Sequence, residues 1–400
     1  MSIRCYPPQD NVKSCNLINY WFSFSGIQYL LLLMLFTFLI VSCSNPTESQ
    51  PDTISLDTKI GQMLMIGFRG LSVTEDSIIV KDIKAERIGG VILFDRDVAL
   101  QSDIRNIQSP SQVKFLVNSL QNYAKTALLV AIDQEGGKVC RLKTKYGFPP
   151  TVSQQYLGNL NNLDSTSFYA SQTAATLKDL GINVNFAPVV DLNTNPENPA
   201  IGKIERSFSD DPEIVSKHSL NVIDEHNTHT IKCSLKHFPG HGSSTADSHL
   251  GFVDVTSTWT EKELDPYRSI ISSGKADLIM TAHIFNSNLD PQYPATLSQK
   301  TITGLLRNTL GFKGVVVSDA MDMSAIADHY GLESAVLLCI NAGVDIILFS
   351  NNLIYDNSIA IKVTEIIKNY VTEGKITEQR INESYERIMK LKNSLKLDMK

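Results

Sequence analysis

A chain of 400 residues has room for one large domain or two average ones, and 42% hydrophobic with 20% charged residues is enough to build a core. A net charge of −6 and a pI near 5.8 leave no basic surface with which to displace the counterions of a nucleic acid. No Lys/Arg-rich run, zinc-finger cysteine pattern or P-loop is present either, so nucleic acid is not an expected partner.

The first element in chain order is an apolar run, IQYLLLLMLFTFLIVS (27–42), which leads directly into Cys43. It is short for a membrane-spanning helix and has the length of the apolar region of a secretory signal. Ile40-Val41-Ser42-Cys43 resembles a bacterial lipobox, in which the cysteine is lipidated and becomes the mature N-terminus. The polar, Pro-containing SNPTESQPDT that follows is a tether with no reason to fold. The expected organisation is therefore a signal and lipidation segment (1–43), a flexible tether (44–55) and one catalytic domain (56–400). The location this implies is the cell envelope, with a lipid anchor in a membrane. Cys140, Cys233 and Cys339 are scattered and odd in number; they read as buried thiols and not as a disulfide framework.

From about residue 60, short apolar runs alternate with longer amphipathic stretches. The runs are 62–68, 89–94, 127–133, 182–188, 231–238, 277–283, 314–320 and 344–350. They are continuous and rich in β-branched residues, as parallel strands covered on both faces should be. Helical stretches at 112–125, 301–312 and 333–343 separate some of them, the last stopping on Gly343. Eight strand–helix units predict an α/β fold, a closed (β/α)8 TIM-type barrel, with a doubly wound open sheet as the alternative. The final charged amphipathic stretch, ITEQRINESYERIMKLKNSLKL, is expected to pack outside the barrel. Asp133, Lys236, His237, His283 and Asp319 all fall at strand ends, which in a parallel barrel share one rim.

Asp319 ends a strand in VVVSDAMDM, where a carboxylate can act as a nucleophile or cap the next helix. Asp322 stands nearby, but helical spacing points it elsewhere. Asp133 begins DQEGGKVCRL, whose two glycines permit a sharp turn and close approach of a ligand; turn chemistry alone is the other reading. The richest stretch is KHFPGHGSSTADSH (236–249). Lys236 and His237 end a strand, and a loop rich in Gly and Ser leads to Asp247 and His249. Two residues apart in extended chain, these share one side, so Asp247 can accept a hydrogen bond from His249 and raise its pKa toward that of a general acid/base. Metal ligation by His237, His241, Asp247 and His249, a phosphate cradle and a purely structural loop are the competing readings. The spacing lacks the rigid helical face of a zinc motif, and the lysine precedes the glycines where a phosphate loop would have it follow.

The stretch KHFPGHGSSTADSH closely resembles the signature of the β-N-acetylglucosaminidase branch of glycoside hydrolase family 3. DQEGGKVCRL, NFAPVVDLN, RSFSDDP and VVVSDAMDM flank it in that family's order, and the resemblance covers roughly residues 56–395. It implies that Asp319 is the nucleophile of a retaining mechanism, His249 the acid/base and Asp247 its partner. It also implies that Asp133, Arg206, Lys236 and His237 bind the sugar of the −1 subsite. RSFSDDP otherwise reads as a surface turn, so Arg206 comes from the resemblance alone. Lys138 departs from the arginine common after EGG, at an outer-subsite position. The implied protein is an exo-acting β-N-acetylhexosaminidase of peptidoglycan fragments or other amino-sugar glycans, a monomer needing neither metal nor organic cofactor. A β-glucosidase or phosphorylase of the same family, and a non-catalytic sugar-binding lipoprotein, are the alternatives. His241 reads as structural, and the Gly/Ser middle of the loop as its hinge.

Overall fold

In the computed structural model, residues 54–396 are described; Cys43, the signal segment and nearly all of the tether lie outside them. Ten strands occur in this span: β1 Leu64–Gly67, β2 Gly90–Leu93, β3 Leu129–Ile132, β4 Val184–Asn185, β5 Lys232–Phe238, β6 Val253–Asp254, β7 Leu278–Thr281, β8 Ile284–Phe285, β9 Val315–Val317 and β10 Ile347–Phe349. Eight of them form one parallel sheet in the order β10-β1-β2-β3-β4-β5-β7-β9, and each coincides with one of the eight apolar runs. Closure is what distinguishes this sheet from an open one. β10 pairs with β1 through Leu64–Ile347 and meets β9 through a parallel bridge between Val317 and Ile346. The amides of Asp345 and Ile346 both donate to the Val316 carbonyl, and Ser318 N–H donates to Ile346 O at 2.9 Å. The fold is thus a (β/α)8 barrel, and the open-sheet alternative falls.

The strands are apolar throughout because helices cover one side and the barrel interior fills the other; every residue of β1, β2, β3, β7, β9 and β10 is buried. β4 is shorter than its apolar run, 182–188. Asn183 and Asn185 take over part of the ladder with their side-chain amides, which bond to Val130 N, Leu128 O, Gln134 N and Gln134 O. β6 and β8 form a separate two-stranded parallel pair that no periodicity announces, since each is only two residues long.

Helices form where expected. Pro110–Tyr123 starts at Ser109, whose side chain accepts from Gln112 N, with proline in the first turn. Leu332–Ala342 ends at Gly343 in the left-handed region, φ 114°. Lys300–Thr309 winds as a π-helix. The last helix, Glu378–Ser394, does more than cover the outside: it packs on the N-terminal ends of the strands. Lys392 Nζ donates to Gln62 Oε1 (2.5 Å) and Gly89 O (2.8 Å), just before β1 and β2. Cys140, Cys233 and Cys339 are buried and free. Among the described residues no helix is long and apolar enough to cross a membrane.

Candidate active site

A cavity of about 440 Å³ opens at the C-terminal ends of the barrel strands. Asp133, Arg206, Lys236, His237, Asp247, His249 and Asp319 all line it, so seven side chains spread over 187 positions converge. His283, expected on the rim, is buried beside them.

The floor is a charge network. Lys236, on β5, is almost fully buried and donates to Asp133 Oδ1 at 2.8 Å and Glu135 Oε1 at 2.6 Å. Glu135 in turn takes a two-pronged bond from Arg206, Nε to Oε2 and Nη2 to Oε1, both 2.8 Å. Burial alone would push both carboxyls up. Lys236 and Arg141 outweigh it for Asp133, and Arg206 and Lys236 for Glu135, so both are held below their ordinary values and stay ionised. The turn after Asp133 is real as well: Gly136 and Gly137 have φ of 100° and 57°, and a Cβ on Gly136 would lie 2.3 Å from Val152 O. Asp133 itself spends its carboxylate on Lys236 and Arg141, not on the turn.

Lys236 and His237 are neighbours in sequence, and a regular strand would send them to opposite faces. Both nevertheless line the cavity, at the point where the β5–β7 register shifts between Leu235 and Phe238. His237 Nδ1 donates to Asp191 Oδ2 at 2.7 Å, which leaves Nε2 to accept from Arg206 Nη2 at 3.1 Å. The two partners fix the tautomer, one being only an acceptor and the other only a donor.

Asp319, at the end of β9, uses Oδ1 to accept its neighbour Ala320 N–H at 2.8 Å. It does not cap a helix; the next one, Ser324–Tyr330, begins after Met323. Burial raises its pKa, but His283, His237 and His249 more than offset this, and the carboxyl lies below its ordinary value. Asp322 points away and ties down the β10 loop through Ser350 N (2.8 Å) and Oγ (2.6 Å). Across the cavity, His249 Nδ1 donates to Asp247 Oδ1 at 2.8 Å, and His249 N–H meets the same oxygen at 2.9 Å. The imidazole is half-exposed. Burial pulls its pKa down, but the bond to Asp247 and the charges of Asp319 and Asp247 outweigh that and raise it above the ordinary imidazole value. The bond to His249, foremost, holds Asp247 at about 2.

His241 is buried and donates its backbone N–H to Asp191 at 2.8 Å; burial lowers its imidazole pKa to about 4, so it is uncharged. Among the described residues, no group of three or more His, Cys, Asp and Glu side chains is placed to hold a metal ion. The Gly/Ser middle of the loop is not the hinge expected of it. Residues 239–244 are buried, Asn198 Nδ2 bonds to His241 O (2.7 Å) and Gly242 O (3.1 Å), and a Cβ on Gly242 would strike Leu192 O at 1.7 Å. Exposure begins only at Thr245. Two residues escaped the sequence reading. Asp191 lies in the quoted NFAPVVDLN and anchors His237; Arg141 follows Asp133 and, with Glu135, completes its network. Nothing in the sequence marks a buried aspartate as a partner of a residue 46 positions away.

The residues matching the family model "Glycosyl hydrolase family 3 N terminal domain" are 55–391, nearly the whole described chain. The chain belongs to glycoside hydrolase family 3. Among curated family members it is 35% identical, over 346 residues, to Beta-hexosaminidase A of Pseudoalteromonas piscicida, covering 77% of this chain and 54% of that protein. It is 36% identical over 268 residues to the Beta-hexosaminidase of Tolumonas auensis, covering 66% and 76% respectively. The barrel superposes with a TM-score of 0.78 on a family 3 β-N-acetylglucosaminidase from Paenibacillus sp. str. FPU-7, at 34% identity, covering 86% of this chain and 63% of that one. A β-N-acetylhexosaminidase from Beutenbergia cavernae gives 0.76 at 27% identity, covering 86% and 100%. The chain thus spans about half the length of the first of these family 3 relatives and three quarters of the second.

Proposed function

We propose that this family 3 protein is a retaining, exo-acting β-N-acetylhexosaminidase. The observation that carries the reading is the bonded Asp247–His249 pair on one side of the cavity that Asp319 lines. The relatives named β-hexosaminidase and β-N-acetylglucosaminidase support the substrate class. His249, its protonated form favoured by Asp247 and held through Nδ1, donates from Nε2 to the glycosidic oxygen. Asp319, ionised and with no hydrogen bond to Oδ2 among the described residues, attacks the anomeric carbon and forms a glycosyl-enzyme ester. The bond to the leaving oxygen breaks as it takes the His249 proton. Neutral His249 then removes a proton from water, which hydrolyses the ester with overall retention. Asp133, Arg206, Lys236 and His237 bind the sugar of the −1 subsite, with Lys236 and Asp133 offering a donor and an acceptor to its hydroxyls. Buried Lys236, Arg206 and Phe186 line the cavity, a setting suited to holding one terminal sugar.

The same reading makes the protein a monomeric lipoprotein of the cell envelope, anchored at Cys43 and acting on peptidoglycan fragments or related amino-sugar glycans. The apolar run 27–42 ending on Cys43 supports the anchor, and an amino-sugar substrate in the envelope supports the glycan. The test is hydrolysis of chitobiose and of defined muropeptides by wild type and Asp319→Ala, with the anomer of the released sugar read by NMR. The β-anomer of N-acetylglucosamine, absent with the variant, is expected. Undiminished turnover by Asp319→Ala, or release of the α-anomer, sinks the reading.

A further inference from the structure

Glu263 lies outside every motif considered so far, on the 3-10 turn Glu261–Leu264 that leads into helix Asp265–Ser272. It is nonetheless 1% exposed. Its Oε2 accepts the backbone N–H of Gly242 at 3.1 Å, while Oε1 is buried without a hydrogen bond. Gly240 packs directly on this side chain: a Cβ there would stand 2.6 Å from both Cβ and Oε2 of Glu263, and its φ of 120° excludes other residues in any case. From the other side, Asp191 Oδ1 accepts the N–H of His241 at 2.8 Å. Two consecutive loop amides, His241 and Gly242, are thus gripped by two buried carboxyls approaching from different elements.

A carboxyl buried with one oxygen unpaired costs stability, and an apolar residue would fill the space at lower cost. Burial, together with the Asp191 carboxylate, pushes the Glu263 carboxyl up to about 7, against the opposing pull of Ser243 and the Gly242 amide. Tyr267, whose hydroxyl is also buried and unpaired, is the other titratable group that feels its charge. Stability therefore does not explain the residue, whereas its position does. The chain leaves Gly242 and, seven residues later, presents His249. Without the hydrogen bond to Gly242, the helix side would still hold the loop at Pro239, where Trp259 Nε1 donates to the carbonyl at 3.1 Å, but would lose its grip at the point where the chain departs.

We propose that Glu263 is a positioning residue for the acid/base loop, setting the root from which Asp247 and His249 reach the glycosidic oxygen. This rests on the reading of His249 as the general acid. The general acid matters most when the leaving group needs its proton, so the effect is read by comparing substrates. Chitobiose, an alcohol leaving group, and the 2,4-dinitrophenyl β-N-acetylglucosaminide, a leaving group that departs unprotonated, are assayed with Glu263→Ala. We expect kcat/KM for chitobiose to fall at least about tenfold further than for the dinitrophenyl substrate, in the same sense as for His249→Ala. Glu263→Gln, which keeps an acceptor for Gly242 N–H, should bring the ratio back to within about twofold of wild type. Equal losses on both substrates, or no loss, overturn the proposal. If Glu263→Ala does not fold, Glu263→Asp withdraws the oxygen by one carbon and is held to the same ratio. A His249→Ala variant indifferent to the leaving group overturns the acid/base reading itself; one that discriminates while Glu263→Ala does not overturns this inference alone.

Discussion

The two ends of this barrel each bury a cluster of charge, and they do so in opposite ways. At the N-terminal end, Asp345 sits just before β10 and is fully buried. Its two oxygens accept from Arg307 (2.6 Å), Arg380 (3.2 Å), Arg387 (2.9 Å), Ser384 Oγ (2.8 Å) and Val316 N (2.9 Å). The last helix closes over it through Arg380, Ser384 and Arg387. At the C-terminal end, Lys236, Arg206 and Arg141 meet Asp133 and Glu135 with comparable distances, but beside a cavity of about 440 Å³. One network is enclosed by the protein, with Asp345 fully buried at its centre. The other is ordered by the protein and left facing a space. The lesson is that hydrogen-bond quality alone does not separate a structural ion cluster from a functional one; the solvent-side neighbour does.

The comparison can be broken at either end. Asp345→Asn leaves three arginines around a neutral amide, and a loss of roughly 3–5 kcal/mol of stability is expected from removing one partner of a buried cluster. Denaturant unfolding measures it, and kcat of the folded fraction should not change; a large fall in kcat without a fall in stability would erase the distinction between the two ends. Next in size is Asp247→Asn. The general acid loses the carboxylate that raises its pKa, so kcat/KM on chitobiose should fall by about 10²-fold, near the lower end of what acid/base catalysis contributes. The sign of the pH effect follows. On the proposed reading the alkaline limb in wild type belongs to His249, whose pKa is raised, because the protonated form is the active one. Without Asp247, the lowering by burial is less opposed and the limb moves to lower pH. A limb that stays in place would assign it to another group. Smallest is Lys138→Ala, at the rim, where the ammonium lies 3.7 Å from Glu205 and both side chains are half-exposed. Stability should change by no more than about 0.5 kcal/mol, with any effect confined to KM for extended substrates.

The strands were legible because a parallel barrel covers both faces of each one, and continuous Val/Ile/Leu runs have no other use in so short a length. The Asp247–His249 bond was legible because the partners are two residues apart and local geometry suffices. Arg206 was not: it reaches Glu135 across 71 positions, and only the folded chain shows that its surface-like context, RSFSDDP, turns inward. The loop was misread in part. Gly and Ser look flexible in sequence, yet Gly240 and Gly242 are small because Glu263 and Leu192 press against them, so the root of the loop is packed.

What the sequence determined by itself is periodic or local: eight buried strands, the glycine stop at Gly343, and the short-range pair that fixes an imidazole. Tertiary structure alone decided closure of the sheet, which depends on β9 meeting β10 around the ring. It alone decided that Asp191 serves His237, and that Asp345 is sealed while Asp133 is not. Those are distances between residues far apart in the chain. They are set by barrel geometry and by which helix covers which end, and no pattern along the chain encodes them.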